Sequence, residues 1–309
     1  MRRHLDFGDE LLPSRVSQLR RPLLRCARGE LPPNIALMQL LMEAQDPSEV
    51  DVTFDQVVSA IGQQDANAMA RLRQALDLWE GTPEAFATVH RIAQVIEREA
   101  IAPTGQQALG YWAAVFDRSL ELSPAASVAL YSLGRPDLLH KATEEIIDRM
   151  RTWKLFPPEC TALEIGCGNG RILHAIASEV RLTVGIDISS GMLTAARERC
   201  AKQSSIVVAR TSGRDLAAFA GACFDLVYAV DSFPYLVSSG FAACHLQEAT
   251  RVLKRDGHLL IMNYSYRGTL EPDRREIATM AGKLGLTVVR DGTGDLAYWD
   301  ATTFLLQKS

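Results

Sequence analysis

Ala162-Leu163-Glu164-Ile165-Gly166-Cys167-Gly168-Asn169-Gly170-Arg171-Ile172 is the stretch of sequence that decides the fold. A short apolar run ends at three glycines in alternate positions, and an apolar helical pattern follows. Glycines at the end of a strand let a ligand approach the backbone, and the first turn of the following helix offers unpaired N–H groups. The stretch therefore predicts a ligand-binding loop between a buried strand and a helix.

The spacing of these glycines excludes two common phosphate-binding loops. A nicotinamide dinucleotide site requires G-x-G-x-x-G, and Arg171 stands where the third glycine would be. A P-loop requires Gly-Lys-Ser or Gly-Lys-Thr, which does not follow here. The loop is instead G-x-G-x-G, preceded by the acidic residue Glu164.

Strand-like and helix-like patterns alternate from the strand before this loop to the last part of the sequence. The predicted strands are Thr161–Ile165, Thr183–Ile188, Ser205–Arg210, Phe224–Val230, His258–Asn263, Leu286–Arg290 and Thr302–Gln307. Helical patterns lie between most of them. The alternation predicts right-handed crossovers and a mostly parallel sheet, with ligands at the carboxyl ends of its strands.

The first part of the chain has a different texture. Residues 29–122 carry five arginines, no lysine and fourteen acidic residues, and their apolar residues recur at helical spacing. We therefore predict an N-terminal all-helical domain over residues 1–122, acting as a lid or a dimerisation region, before a second domain over 123–309. The stretch Pro103-Thr104-Gly105 is the best internal break.

Three local features of the helical part give further expectations. Seven arginines in residues 1–28 predict a basic, polar arm. Asn34 is expected to cap an apolar helix that reaches Met42, and Asp65 to open a later helix.

Composition excludes several classes of protein. The chain has 309 residues, 47% of them hydrophobic, and a net charge of −4, which is typical of globular proteins. Its six cysteines are scattered without a C-x-x-C pair, so we expect neither a structural zinc site nor a disulfide framework, and no metal. With no apolar run of about 18 residues, we expect a cytoplasmic protein that does not enter membranes.

The segment Glu164-Ile165-Gly166-Cys167-Gly168-Asn169-Gly170 resembles the first motif of the class I (Rossmann-like) S-adenosylmethionine-dependent methyltransferases. Further segments resemble that family in order and spacing: Gly185-Ile186-Asp187-Ile188-Ser189, Gly213-Arg214-Asp215-Leu216, Phe224-Asp225-Leu226-Val227, and Arg251 to His258, where Arg255-Asp256 replaces the usual Pro-Gly. The resemblance covers about residues 140–309. It implies an α/β fold with a seven-stranded, mainly parallel sheet whose last strand is antiparallel.

The resemblance also implies S-adenosyl-L-methionine as the cofactor and a set of residues that bind it. By this resemblance, Asp187 is expected to bind both ribose hydroxyls, and its plainer alternative role is a helix cap. Asp215 is expected to bind the adenine amino group, and its plainer alternative role is that of a solvated turn residue. Tyr131 and Arg135 are expected to close over the donor. The complete predicted set is Glu164, Gly166, Cys167, Gly168, Gly170, Asp187, Ile188, Met192, Asp215, Leu216, Val230, Tyr131 and Arg135.

Methyl transfer from a sulfonium needs alignment, exclusion of water and removal of a proton, so no fixed catalytic triad is expected. Asp231 is a candidate to orient or deprotonate the acceptor, and Tyr235 to wall the site. The segment Ser232-Phe233-Pro234-Tyr235 lacks the first proline of the D/N/S-P-P-Y/F signature, which disfavours a nucleobase or glutamine acceptor. After the fifth strand, Asn263-Tyr264-Ser265-Tyr266 lies at the same edge, whereas His245 is expected away from it.

The sequence thus predicts transfer of a methyl group to an oxygen or nitrogen of a small molecule. Two alternatives stay open: a methyltransferase acting on protein or RNA, and a protein that binds the nucleotide without turnover. The net charge of −9 over residues 29–122 disfavours a nucleic-acid partner, because phosphate contacts need lysine and arginine. A homodimer formed through the helical domain is a further expectation.

Overall fold

The computed structural model describes residues 14–62, 65–97, 104–294 and 296–309. Seven α-helices precede the first strand in these ranges, and a 3₁₀ turn at Leu130–Ser132 separates the last two of them. The helices are α1 (Arg15–Ala27), α2 (Pro33–Glu43), α3 (Pro47–Ile61), α4 (Ala66–Glu80), α5 (Ala85–Glu97), α6 (Gln106–Leu122) and α7 (Pro136–Thr152).

Strands and helices alternate in the remainder of the chain. Its elements are β1 (Thr161–Ile165), α8 (Arg171–Ile176), β2 (Leu182–Asp187), α9 (Ser190–Cys200), β3 (Ile206–Arg210), β4 (Phe224–Val230), α10 (Phe233–Ser239), α11 (Ala242–Val252), β5 (Leu253–Met262), α12 (Leu270–Leu284), β6 (Leu286–Thr293) and β7 (Thr303–Lys308). The seven predicted strands are confirmed within a few residues, except that β5 begins five residues earlier. The short helix α10 was not predicted.

The strands form one sheet in the order β3-β2-β1-β4-β5-β7-β6. Strands β1 to β5 pair in parallel, and β7 is antiparallel to both of its neighbours, as the resemblance implied. The order reverses between β1 and β4, so the crossover helices leave on opposite sides there. Such a reversal opens a crevice at the carboxyl ends of the two strands, where open α/β sheets bind ligands.

The N-terminal helices share a hydrophobic core with the sheet. One cluster of buried side chains joins Ile35 of α2 and Ile146 of α7 to Ile172 of α8 and Leu226 of β4. Because burial of apolar surface is the main favourable term in folding, the helices and the sheet stabilise each other. A boundary near residue 122 therefore separates two sequence textures within a continuous core.

Residues 15–27 do not form a polar arm. They form α1, whose face with Leu19, Leu23 and Cys26 is buried while its arginines lie on the other face. The density of arginine in the sequence hid a 3.6-residue apolar spacing. The first thirteen residues of the predicted arm lie outside the described residues.

The helix starts are partly as predicted. Asp65 caps α4, accepting hydrogen bonds from the backbone N–H groups of Asn67 and Ala68. Asn34 is not a cap, because Pro33 already occupies the first position of α2. The Asn34 side chain is buried instead, and its Nδ2 donates to the carbonyls of Tyr131 (3.0 Å) and Tyr298 (2.8 Å).

The predicted break at Pro103-Thr104-Gly105 lies only partly within the described residues. Gly105 caps α6, and its N–H donates to the carbonyl of Ser239 at the end of α10 (3.0 Å). In the parts of the chain that the structure describes, no helix has the length and apolar character to span a membrane.

Candidate active site

The glycine loop after β1 is shaped by close backbone approaches. Gly166 has a φ of +72°, and a Cβ there would lie 2.4 Å from the Cβ of Ser232 at the end of β4. Gly168 has a φ of +51°, and its Cβ would lie 3.0 Å from a methyl group of Val128. Side chains would therefore both strain the backbone and fill the space above the loop.

Asp187 at the end of β2 holds this loop in place. Its Oδ2 accepts a hydrogen bond from the Gly168 N–H (2.8 Å), and its Oδ1 accepts one from the Ser189 N–H (2.9 Å). Burial raises the pKa of this carboxyl, and the backbone donors oppose that shift. The cap of α9 is Ser189, whose hydroxyl accepts from the Met192 N–H, so Asp187 is not the helix cap of the plainer alternative.

Glu164 lies beneath the loop in a buried position on β1. The register of β1 and β4 places Tyr228 beside it, and the Tyr228 hydroxyl donates to Glu164 Oε2 (3.2 Å). Burial raises the pKa of Glu164 to about 8, against the attraction of the Arg171 guanidinium. Arg171 is itself buried and donates to the hydroxyl of Thr143 (3.0 Å).

Glu164 should make the folded state less stable as the pH rises. The unfolded chain releases this proton near pH 4.5, whereas the folded chain keeps it until about pH 8, so ionisation costs free energy of folding in between. The free energy of unfolding of the Glu164→Gln variant, taken relative to that of the wild type, should rise by about 3 kcal/mol as the pH goes from 6 to 9. Urea titrations of both proteins at pH 6 and at pH 9 measure this change. The same difference between variant and wild type at the two pH values would contradict the burial argument.

The loop faces a cavity of about 690 Å³ at the carboxyl ends of β1 and β4. Nine of the predicted cofactor residues line it: Glu164, Gly166, Cys167, Gly168, Asp187, Ile188, Met192, Val230 and Tyr131. Tyr131 is buried, which raises the pKa of its hydroxyl to about 12. The structure thus brings together residues that the sequence spreads over a hundred positions.

Four other predicted cofactor residues lie outside the cavity. Gly170 packs against Ala196 of α9, and Leu216 is buried in the core below the sheet edge. Asp215 accepts a hydrogen bond from the Ala217 N–H (3.1 Å), which is the turn role of the plainer alternative. Arg135 forms an ion pair with Asp137 (2.8 Å).

The segment after β3 contributes different residues from those predicted. Thr211 and Gly213 line the cavity there. Gly213 has a φ of +75°, and Ile188 and Leu109 pack where its side chain would be. The chain turns at this glycine, so the next residues, including Asp215, leave the cavity.

Asp231 is held on the opposite side of the cavity from α9, at the end of β4. Its Oδ1 accepts hydrogen bonds from Asn263 Nδ2 (2.9 Å) and the Tyr266 hydroxyl (2.8 Å), whereas its Oδ2 accepts none from any residue that the structure describes. Asn263 is its neighbour because Val230 pairs with Met262, the residues just before them. Burial raises the pKa of Asp231 to about 6.

Aromatic side chains surround Asp231. The Tyr235 ring lies 4.6 Å from the ring of Trp112 and 5.0 Å from that of Phe116, both on α6. The hydroxyl of Tyr235 is 3.4 Å from that of Tyr266. Tyr235 thus walls the cavity as predicted, and it joins the sheet edge to the N-terminal helices.

Tyr264 and His245 are two further residues near this edge. Tyr264 is buried outside the cavity, where its ring stacks on Phe233 and its hydroxyl donates to Glu276. His245 does line the cavity, although it was expected away from it. Burial lowers the pKa of His245, and its Nδ1 lies 3.1 Å from the carbonyl of Phe241.

The helical region forms the wall opposite the sheet edge. Side chains of α2, α5 and α6 line the cavity, among them Met38, Ile92 and Trp112. Helix α6 is fixed to the donor side by Asp117, whose Oδ1 accepts from the Ser189 hydroxyl and from the Gly191 N–H (2.8 Å). Helical periodicity marked these faces as buried, but it carried no signal that they face a cavity.

Part of this chain is similar in sequence to known proteins. Residues 163–261 match the family described as a methyltransferase domain. YqeM of Bacillus subtilis (strain 168), named as a methyltransferase, is 29% identical over 104 residues. The match covers 34% of this chain and 42% of YqeM, so the chain spans less than half of that relative's length.

Solved structures with a similar arrangement have low sequence identity. Magnesium protoporphyrin IX methyltransferase (ChlM) from Synechocystis PCC 6803 is 18% identical, with 56% of this chain and 81% of that chain covered and a TM-score of 0.43. An S-adenosylmethionine-dependent methyltransferase from Clostridium acetobutylicum ATCC 824 is 15% identical, with 55% and 92% covered and a TM-score of 0.44.

Proposed function

Since residues 163–261 match the methyltransferase domain family, we propose that this protein transfers a methyl group from S-adenosyl-L-methionine to an oxygen or nitrogen of a small molecule. One observation carries the proposal: a single cavity is lined both by the glycine loop with Asp187 and by the half-paired carboxylate of Asp231. Donor-binding groups and a proton acceptor thus face the same space.

The residues of the loop fit this donor. Gly166 and Gly168 leave their backbone open, and Asp187 lies at the end of the neighbouring strand, where a carboxylate can accept from a ribose diol. Ile188 and Met192 offer apolar surface for a purine ring. When bound, the donor supplies a methyl group already activated by its positive sulfur; a bond from carbon to the acceptor forms as the carbon–sulfur bond breaks.

The chain's own residues align the acceptor and remove its proton. Asp231 Oδ2 is available to accept a hydrogen bond from a hydroxyl or amino group, and then its proton. Asn263 and Tyr266 hold the other oxygen, so the carboxylate cannot rotate freely. The apolar side chains of the helical wall would limit contact between water and a bound acceptor, which favours displacement over hydrolysis.

The two alternatives have less support. A protein or RNA acceptor would have to pass side chains of α2, α5 and α6 that cover the cavity, and the net charge of −9 over residues 29–122 opposes a nucleic acid. A binding protein without turnover would need no proton acceptor with a free oxygen facing the cavity. A homodimer and a cytoplasmic location stay predictions.

Calorimetric titration with S-adenosylhomocysteine, with NADH as the control ligand, tests the donor site. Micromolar or tighter binding of the first alone supports the proposal, and binding of neither contradicts it. Turnover against amines, phenols and carboxylic acids then separates an enzyme from a binding protein.

Asp187→Ala should weaken binding of S-adenosylhomocysteine by about 2 kcal/mol, or roughly thirtyfold, because both a charged acceptor and the anchor of the loop are lost. Asp215→Ala is the matched control, since Asp215 lies outside the cavity, and its affinity should match the wild type. The same calorimetric titration measures both. Equal losses in the two variants would remove Asp187 from the donor site.

A further inference from the structure

We propose that the methyl acceptor is an uncharged, apolar molecule whose body is held by side chains of α2, α5 and α6; this inference rests on the proposed function. The first observation is the nature of the wall beyond Asp231. Most of its side chains are apolar, and two uncharged polar residues of these helices also line it, Gln39 and Ser119. The apolar residues include Ile35, Met38, Ile92, Trp112, Val115 and Phe116. No charged side chain of these three helices lines the cavity in the described residues.

Large apolar side chains also lie at the rim of the cavity, beside the polar residues Thr269 and Asp300. The described parts of the chain expose eight large hydrophobic side chains, and three of them line this cavity: Met42 (47% exposed), Ile96 (38%) and Tyr266 (58%). A side chain that is both exposed and lining marks the place where the cavity meets solvent. Apolar residues gathered at an entrance indicate a ligand with apolar surface, because exposing them to water is otherwise unfavourable.

The charges near this wall disfavour an anionic acceptor. Asp231 and Asp300 line the acceptor side, and Arg25 is the cation there, with Glu30 3.4 Å from its guanidinium. Arg171 is buried under the glycine loop, and its positive charge lowers the pKa of Glu164. Arg171 also lines the cavity, but its side chain is buried and donates to the Thr143 hydroxyl. An anion would meet the carboxylates of Asp231 and Asp300, whereas a neutral hydroxyl or amine can donate to Asp231 Oδ2.

Helix α6 links the acceptor wall to the donor loop. Its residues Trp112 and Phe116 pack on Tyr235, and Asp117 on the same helix binds Ser189 and Gly191 next to the donor site. An apolar body held against α6 is therefore placed in fixed relation to the donor. We infer that the helical region determines acceptor specificity in addition to limiting contact between water and the acceptor.

The test uses a homologous series of 4-alkylphenols, from methyl to hexyl, titrated calorimetrically into the full chain saturated with S-adenosylhomocysteine. We expect affinity to rise by up to about fourfold per added methylene, the value for full burial of a CH₂ group. The matched 4-alkylbenzoates should bind at least tenfold more weakly at pH 8. Affinity that does not change with chain length, benzoates that bind as well as phenols, or no binding by any phenol would overturn the inference.

Saturation with S-adenosylhomocysteine is measured first, so the two proposals fail separately. If the nucleotide does not bind, the proposed function fails and the inference fails with it. If the nucleotide binds and the phenols do not, the acceptor class is wrong while the donor site stands.

Substitutions at the rim locate the binding surface. The double variant Met42→Glu/Ile96→Glu should raise the dissociation constant of 4-hexylphenol at least tenfold and leave that of S-adenosylhomocysteine within twofold. Val52→Glu is the control, because Val52 on α3 is 51% exposed and does not line the cavity. Equal effects of the rim and control variants on 4-hexylphenol would overturn the assignment of this wall.

Discussion

Gly168→Val should abolish detectable binding of S-adenosylhomocysteine, a loss of at least a hundredfold, while the protein stays folded. The added side chain would enter the space above the loop, where Val128 already lies 3.0 Å from the position of a Cβ. A β-branched residue at a φ of +51° is also strained by about 1–2 kcal/mol, which would distort the N–H that Asp187 holds. Calorimetry gives the affinity, and circular dichroism with thermal unfolding shows whether the fold remains.

Gly282→Val is the matched control for this change. Gly282 lies in α12, far in sequence from the loop, and a Cβ there meets nothing within 4 Å. It should bind S-adenosylhomocysteine as the wild type does. If Gly168→Val also binds normally, the glycine loop is not the donor site.

Asp231→Asn should lower kcat by a factor of about 10² to 10⁴, the usual contribution of a positioned general base. The amide keeps the size of the side chain and can still accept from Asn263 and Tyr266, but it cannot take a proton. The affinity for S-adenosylhomocysteine should change little, because Asp231 lies on the acceptor side. Steady-state kinetics on an acceptor found by the turnover panel measures the effect, and wild-type turnover in the variant would exclude Asp231 as the base.

The pH dependence gives an independent check of this role. Because the pKa of Asp231 is about 6, wild-type kcat/KM should fall as the pH drops below 6, where the carboxylate becomes protonated. The hydrogen bond from Tyr266 lowers this pKa, so Tyr266→Phe should move the fall in activity to higher pH. A profile that does not move would mean that Tyr266 has only a packing role.

Sequence patterns predicted the sheet well because each strand is bounded by local signals. The strand β1 is buried along its whole length, and the glycines that end it are required by contacts at Ser232 and Val128. Asp187 and Asp231 were selected for the same reason, since Asp187 ends the strand β2 and Asp231 directly follows the strand β4.

The errors have a common physical origin in tertiary contacts. Asp215 was assigned to the adenine by its place in a motif, but the turn at Gly213 directs the chain away from the cavity. The buried face of α1 was hidden by arginines, and the cavity-facing role of Trp112 depends on how α6 packs against Tyr235. A spacing of 3.6 residues shows that a face is buried, and it does not show what that face contacts.

The two hydrogen bonds of Asn34 have a consequence for how the chain folds. They join residues separated by 97 and by 264 positions, so this buried amide finds both acceptors only when the two ends of the described chain come together. An unsatisfied buried amide costs about 1–3 kcal/mol, which disfavours a partly folded state made of the helices alone. We therefore expect folding governed by distant contacts, and a fragment that ends before Tyr298 should leave the helices near Asn34 loosely packed.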